Sequence, residues 1–289
     1  MMTRICNEKL TLDIESLGAQ MTSLKDEKGK EYLWQGDAAT WEEHAPVLFP
    51  YIGRLTEKTY LYQGKAYHMD IHGIAMYSEF EVNKESREKA AFVLSDSEIT
   101  RRHYPFAFRF QVTYELRGST VWITYEVENR GEKEMYFGVG GHPGFCVPIG
   151  AQGTFKDYEI HFGQGTRPER VPISEDGYVL EDGDYVPLEN PIHLRHDLFD
   201  MDAIVLSGMG TWAELTSPVA DKCITIRFPQ MKYLGIWHWP KTETPYVCIE
   251  PWTSLPARKG VLERLEEKED LIQLGGGEEY RNEWSIEIE

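Results

Sequence analysis

The stretch FAFRFQVTYELRGSTVWITYEVEN, Phe106 to Asn129, alternates apolar and polar residues on both sides of Arg117-Gly118. A period of two sends successive side chains to opposite faces of an extended strand, and β-branched and aromatic residues suit a pleated, half-buried surface. Two such runs joined by a glycine-bearing turn read as a long antiparallel hairpin. Outward from it, LTLDIE, KAAFVLS, KDYEIHFG, DAIVLSG, WAELTSP and KCITIRFP are shorter strand candidates between Gly, Pro, Asp and Ser turns. ISEDGYVLEDGDYVP, with two Asp-Gly pairs, reads as hairpin or loop. Helical pattern is scarce. SDSEITRRHYP offers a Ser cap and up to two turns before Pro105, and VLERLEEKEDLIQL carries a helical-looking Leu/Glu/Lys pattern. Many short strands with few helices predict an all-β fold, a large antiparallel β-sandwich or barrel-like sheet pair. No repeat or linker divides residues 1–289, so one domain is expected.

Of the 289 residues, 41% are hydrophobic and 27% charged, which is ordinary for a globular chain and far from disordered composition. The net charge of -18 repels nucleic acid and anionic membranes, and neither is expected as a partner. Cys6, Cys146, Cys223 and Cys248 form no C-x-x-C pair, and the N-terminus has no apolar segment of signal-peptide length. Reduced thiols and a cytoplasmic location are the expectation.

The run GVGGHPGF, Gly138 to Phe145, lacks the third glycine, the following helix and the Lys of phosphate-binding loops. It reads instead as a strand with a glycine bend where backbone approaches something closely. His142 sits on that bend. Cys146 lies near it in sequence, but buried thiols are commonplace and a nucleophilic pair is not favoured. In YVCIEPWTS, Glu250 follows an apolar run. It is either a desolvated carboxyl with a raised pKa, suited to general-base work, or a strand-end glutamate turned to solvent. His72 stands beside a glycine in DIHGIAMYSEF, Arg54 ends the apolar run VLFPYIGRL, and FDMDAIVL opens a strand with Asp200 or Asp202. Arg54 reads equally as a salt-bridge partner or a planar clamp on oxygens. No His-x-His or His-x-x-x-His spacing supports zinc, so no metal is expected. Trp237 and Trp239 in GIWHWP suit either a core or the floor of a sugar site.

Taken in order, APVLFPYIGRL, HGIAMYSEF, GGHPGF, DMDAIVL and CIEPW resemble the aldose 1-epimerase (galactose mutarotase-like) family, most of all its LacX-like bacterial branch. The match spans Ala45 to Trp252. The resemblance implies a β-sandwich that binds a hexose in a groove on one sheet and interconverts its α and β anomers by opening and reclosing the ring. It implies Glu250 as general base, His142 as general acid, and Arg54, His72 and Asp202 as residues that hold the sugar, with no cofactor. Asp202 matches the family's aspartate better than Asp200.

Two departures bear on the substrate. Met76 stands where relatives commonly carry an arginine after the His-Gly pair, which favours a neutral aldose over a hexose 6-phosphate. Arg258 offers a cation that could restore positive charge near the pocket. Three alternatives stay open at this level: a hexose-6-phosphate 1-epimerase, a non-catalytic sugar-binding protein, and a glycosidase built on Asp202 and Glu250.

Overall fold

The structure, a computed structural model, describes residues 1–163 and 165–289. The hairpin that the sequence announces is present, as strands Phe108–Arg117 and Thr120–Asn129. Thr120 pairs with Arg117, and Gly118, at φ +60°, opens the two-residue turn between them. That left-handed backbone is what so tight a hairpin demands. Along the second strand Val121, Ile123, Tyr125 and Val127 are buried while Thr120, Trp122, Glu126 and Glu128 are half-buried, the alternation read from sequence, broken by a buried Thr124.

The hairpin lies inside an antiparallel sheet whose nine described strands run in a non-sequential order. From one edge they are Ile192–His193, Glu159–Phe162, Trp212–Thr216, Ile224–Arg227, Glu279–Ile288, Thr120–Asn129, Phe108–Arg117, Lys89–Ser95 and Glu81–Lys84. The last strand of the chain thus fills the middle of the sheet, between Thr120–Asn129 and Ile224–Arg227.

A second sheet has Tyr246–Trp252 as its central strand. On one side it pairs with Tyr233–Trp237, and beyond that come Ile204–Ser207, Glu169–Arg170 and Val186–Pro187. On the other side lie the short strands Gly140–Gly141 and Gly144–Cys146, with Val47–Leu48 outermost. The two sheets meet at a glycine pair. The Tyr125 hydroxyl donates to the Gly140 carbonyl at 3.2 Å, and a Cβ on Gly141 would come within 2.5 Å of the Trp284 ring. Phe49 stacks on Phe110 at 4.4 Å in the same core.

Every residue of Tyr246–Trp252 is buried. Val247 and Ile249 join the core between the sheets, so strand alternation turns Tyr246, Cys248, Glu250 and Trp252 to the other face. A carboxyl is thereby committed to an interior. This is the placement on which the site depends.

The one-turn helix Thr100–His103 has Ile99 at its N-cap with no side-chain cap bond, and serine acts one step earlier, where the Ser97 hydroxyl accepts from the Thr100 N–H at 3.2 Å. The helical reading of VLERLEEKEDLIQL fails. That segment forms only a 3-10 turn, Leu265–Glu267, and a strand, Ile272–Leu274, paired with Met135–Phe137. Several of its acidic groups engage partners outside the segment, Glu263 with Arg258, Asp270 with the Leu255 N–H and Glu266 with the Gln63 N–H, while Arg264–Glu267 and Lys268–Asp270 pair within it. ISEDGYVLEDGDYVP is mostly loop, closed by a bridge from Ile173 to Val179. Among the described residues no helix is long and apolar enough to cross a membrane.

Candidate active site

Glu250 stands opposite Gly235 on the central strand. A Cβ at Gly235 would lie 2.6 Å from the Trp252 ring, so the glycine lets that indole pack beside the carboxyl. Glu250 is 1% exposed, and neither carboxyl oxygen has a hydrogen-bond partner. Burial, and secondarily the nearby Asp202, push its pKa well above the usual carboxylate range.

His142 occupies the bend between Gly140–Gly141 and Gly144–Cys146, tied by its N–H to the Pro46 carbonyl at 3.0 Å. Its Nε2 lies 3.3 Å from Glu250 Oε2, and its Nδ1 has no partner. The contact is close enough for an ion pair but lacks hydrogen-bond alignment. Burial holds the imidazole down to about 3, hence uncharged at neutral pH. Trp41 packs on the ring at 5.1 Å, and Gly144 makes room for it, since a Cβ there would approach the indole to 2.6 Å. The close approaches that the glycine run foreshadows are to Ser254 at Gly138, the Pro251 carbonyl at Gly140, Trp284 at Gly141 and Trp41 at Gly144.

His72 adopts a left-handed backbone, φ +65°, beside Gly73, where a Cβ would strike the Phe49 carbonyl at 2.3 Å. The Gly53 N–H donates to His72 Nδ1 at 3.2 Å, which assigns the ring proton to Nε2. Burial, then the neighbouring His142 and Arg54, hold this imidazole well below its ordinary value. The His72 and His142 rings meet edge to face at 5.3 Å.

Asp202 is also left-handed, φ +78°, and accepts a hydrogen bond from the Trp237 indole at 3.1 Å. Its pKa is raised, chiefly by burial. Gly177 lies against it. A Cβ there would sit 2.9 Å from Asp202 Oδ2 and 3.4 Å from Arg54 Nε, so the missing side chain lets acid and guanidinium share one rim. Arg54 itself is exposed, and its carbonyl accepts from the Ala257 N–H.

All five side chains line one cavity of about 270 Å³, walled by Trp41, Trp237, Trp239, Trp252 and Met76. Its polar groups converge from one strand, which carries Glu250, and from four connecting segments, which carry Arg54, His72, His142 and Asp202, onto an apolar surround, the usual build of a small-molecule site. A larger hollow of about 410 Å³, against Tyr62, Tyr67 and Phe106, has no histidine in its lining. Asp200 does not line the site cavity, and Asp202 does. Arg258 is turned away from it, held by Glu263 and Glu181, and brings no positive charge to the pocket. Cys146 is no partner for His142 either. Its Sγ contacts the Leu33 carbonyl at 3.1 Å, and burial pushes the thiol up to about 12.

Two participants were not picked out from sequence. Trp41 carries no local signal. Cys248 does, because it precedes Glu250 by two positions in a strand and must share its face. Spacing offered no metal motif, yet ligand-capable atoms of His142, Cys248 and Glu250 lie within 4.8 Å of one another.

The family model described as aldose 1-epimerase matches residues 1–270. The LacX protein of Lactococcus lactis subsp. lactis (chromosomal form) is 30% identical over 281 residues, covering 93% of each chain. A galactose mutarotase related enzyme from Lactobacillus acidophilus superimposes with a TM-score of 0.95 at 32% identity, covering 100% of this chain and 97% of its own. A galactose mutarotase-like protein from Lactobacillus casei gives 0.93 at 30% identity, with both chains fully covered.

Proposed function

The chain belongs to the aldose 1-epimerase family, isomerases that act on sugars, and from that premise we propose that it interconverts the α and β anomers of a free, neutral hexose. One observation carries the reading. A carboxyl and an imidazole stand 3.3 Å apart on the floor of a cavity, both buried, with both carboxyl oxygens and one ring nitrogen unpartnered. Buried polar groups are normally satisfied, so a pair left open is poised for a ligand's own donors and acceptors.

The hydroxyl oxygen and the ring oxygen of a hemiacetal share one carbon, which suits two catalytic groups this close. Glu250 takes the proton of the anomeric hydroxyl while His142 delivers one to the ring oxygen, and the C–O bond of the ring breaks. Rotation about the bond to the carbonyl carbon presents its other face. The two groups then exchange roles, and the ring recloses as the other anomer. Ring opening begins from carboxylate and imidazolium and ends with a neutral acid and a neutral imidazole. Burial favours the neutral pair in the empty site as well, so the carboxylate–imidazolium pair has to be reached by proton transfer from Glu250 to His142 before the ring opens, and burial gives that cost back on opening. Each positioned acid or base typically contributes about 10²–10⁴-fold.

Arg54 and the His72 Nε2–H donate to sugar hydroxyls in this reading, and Asp202 accepts from one. Trp41 and Trp237 offer apolar faces to the C–H surface of the ring. A neutral substrate fits the lining better than a phosphorylated one. Arg54 is its one permanently charged cation, set against two carboxyls, and Met76 adds none.

The test is polarimetry of freshly dissolved α-glucose and α-galactose with the wild type and Glu250→Gln. Faster relaxation than buffer is expected with the wild type alone. Buffer rates on both sugars would defeat the neutral-hexose reading and move the assay to hexose 6-phosphates. Binding of sugar with no turnover in any assay would leave the non-catalytic alternative.

A further inference from the structure

The mechanism leaves Cys248 unused, although its thiol is wholly buried beside the two groups that do the chemistry. We propose that His142, Cys248 and Glu250 form a three-ligand site for a thiophilic divalent cation, Zn²⁺ above all, and that its occupancy shuts the enzyme off.

Three features carry this. First, the donor set is one imidazole, one thiolate and one carboxylate, and two anionic ligands cancel a dication's charge. A buried cation needs that neutrality. Second, the distances are compatible with tetrahedral zinc. Bonds of about 2.0–2.3 Å place neighbouring ligand atoms roughly 3.3–3.7 Å apart, and His142 Nε2 and Glu250 Oε2 are already at 3.3 Å. The Cys248 sulfur, no more than 4.8 Å from the other ligand atoms, closes the triangle with a movement of about 1 Å or less. Third, neither Glu250 oxygen has a hydrogen bond of normal geometry, so the carboxylate gives up no more than the weak approach of the Trp252 indole when it turns to a metal. His142 and Glu250 line the cavity while Cys248 lies behind them, and three protein ligands leave a tetrahedral cation one further position.

Coordination expels the thiol proton, and with it the proton of a neutral Glu250 carboxyl, to solvent and occupies both the carboxylate and the imidazole. A loaded site cannot exchange protons with a sugar. A thiolate in the set selects Zn²⁺ over Mg²⁺ or Ca²⁺, which prefer all-oxygen shells.

The experiment uses Co²⁺ as a spectroscopic stand-in for zinc, added to the full-length protein under a non-thiol reductant. One equivalent should raise a thiolate-to-cobalt charge-transfer band in the near ultraviolet together with tetrahedral visible bands, and Zn²⁺ should bleach both. The charge-transfer band should vanish in Cys248→Ser and persist in Cys146→Ser. Glu250→Gln should keep the band but weaken cobalt affinity by at least roughly tenfold, since even outer partners of metal ligands are worth that much. Absence of the band in the wild type, or its survival in folded Cys248→Ser, overturns the proposal. Should Cys248→Ser fail to fold, an unweakened affinity in Glu250→Gln overturns it instead. These readings need no turnover, so they stand apart from the fate of the mutarotase reading. If that reading holds, Zn²⁺ should also abolish mutarotation reversibly with chelator, and Cys248→Ala should shift the inhibitory concentration upward by more than about tenfold.

Discussion

Glu250 and Glu263 are equally buried, each 1% exposed, and their surroundings have opposite effects. Glu263 lies in the loop after the central strand. Its oxygens accept from the Arg258 N–H at 2.9 Å, from Arg258 Nε at 3.0 Å and from Nη2 at 2.9 Å. Burial alone would raise its pKa, but these bonds override it and hold the carboxylate below its ordinary value. Glu250 has no such partner, and burial carries its pKa the other way. Burial therefore does not decide what a carboxyl is for. What decides it is whether the fold brings a permanent cation to meet it. Arg258 pins the 253–263 loop, which also contributes Pro256 to the cavity wall, while Arg54 stands off at the rim. One glutamate is structural and the other is left open.

The sharpest way to break this contrast is to neutralise each in turn. Glu250→Gln should lower mutarotation by about 10²–10⁴-fold. It also removes an unpartnered buried acid, so its melting temperature should rise, as is common when a strained functional group is replaced. A large loss of stability in Glu250→Gln would show that the carboxyl is a structural group after all. Next in size, His142→Asn should lower turnover by about 10²–10³-fold, within the range for one acid or base, and spare sugar affinity measured by calorimetry.

Glu263→Gln should do the reverse, costing about 1–3 kcal/mol in urea unfolding through lost charge-assisted bonds and leaving the turnover number within a few-fold. The sign of its pH dependence follows from the depressed pKa. The stabilisation is fully present above the unfolded value near 4.3 and is lost as pH falls through the folded value. The gap between wild type and Glu263→Gln should therefore narrow as pH drops below about 4. A gap that widens there would reverse the assignment.

The smallest expected effect is at the rim. Gly177→Ala forces a left-handed alanine at φ +80° against Asp202 and Arg54. It should raise KM several-fold with kcat little changed, and cost about 1–2 kcal/mol of stability through backbone strain. A pure kcat effect would mean that Asp202 and Arg54 act in the chemistry and not in holding the sugar.

Much of this molecule was legible before any coordinates. The hairpin from Phe108 to Asn129, and strands such as Leu10–Glu15 and Lys89–Ser95, follow from alternation alone, because local side-chain burial sets a period of two. So does the shared face of Cys248 and Glu250. The false helix at VLERLEEKEDLIQL shows the limit of such reading. Its Leu/Glu/Lys spacing fits a helix, but Glu263 turns to Arg258, Asp270 accepts from the Leu255 N–H and Leu274 pairs with Met135 in a ladder.

What sequence by itself determined is the list of parts: an all-β chain, a carboxyl after an apolar run, two histidines beside glycines, an arginine and an aspartate at the ends of apolar segments. Tertiary structure decided which of them meet. It gathered Arg54, His72, His142, Asp202 and Glu250 around one cavity from positions far apart in the chain. It put His72 and Asp202 into left-handed backbone, and it paired Glu263 but not Glu250 with an arginine. The physical reason is that strand formation is read from neighbours two apart. Which distant groups converge on Glu250 is set by long-range sheet pairing and loop packing, which local pattern does not encode, whereas the Glu263–Arg258 pair closes within one loop whose conformation strand alternation does not give.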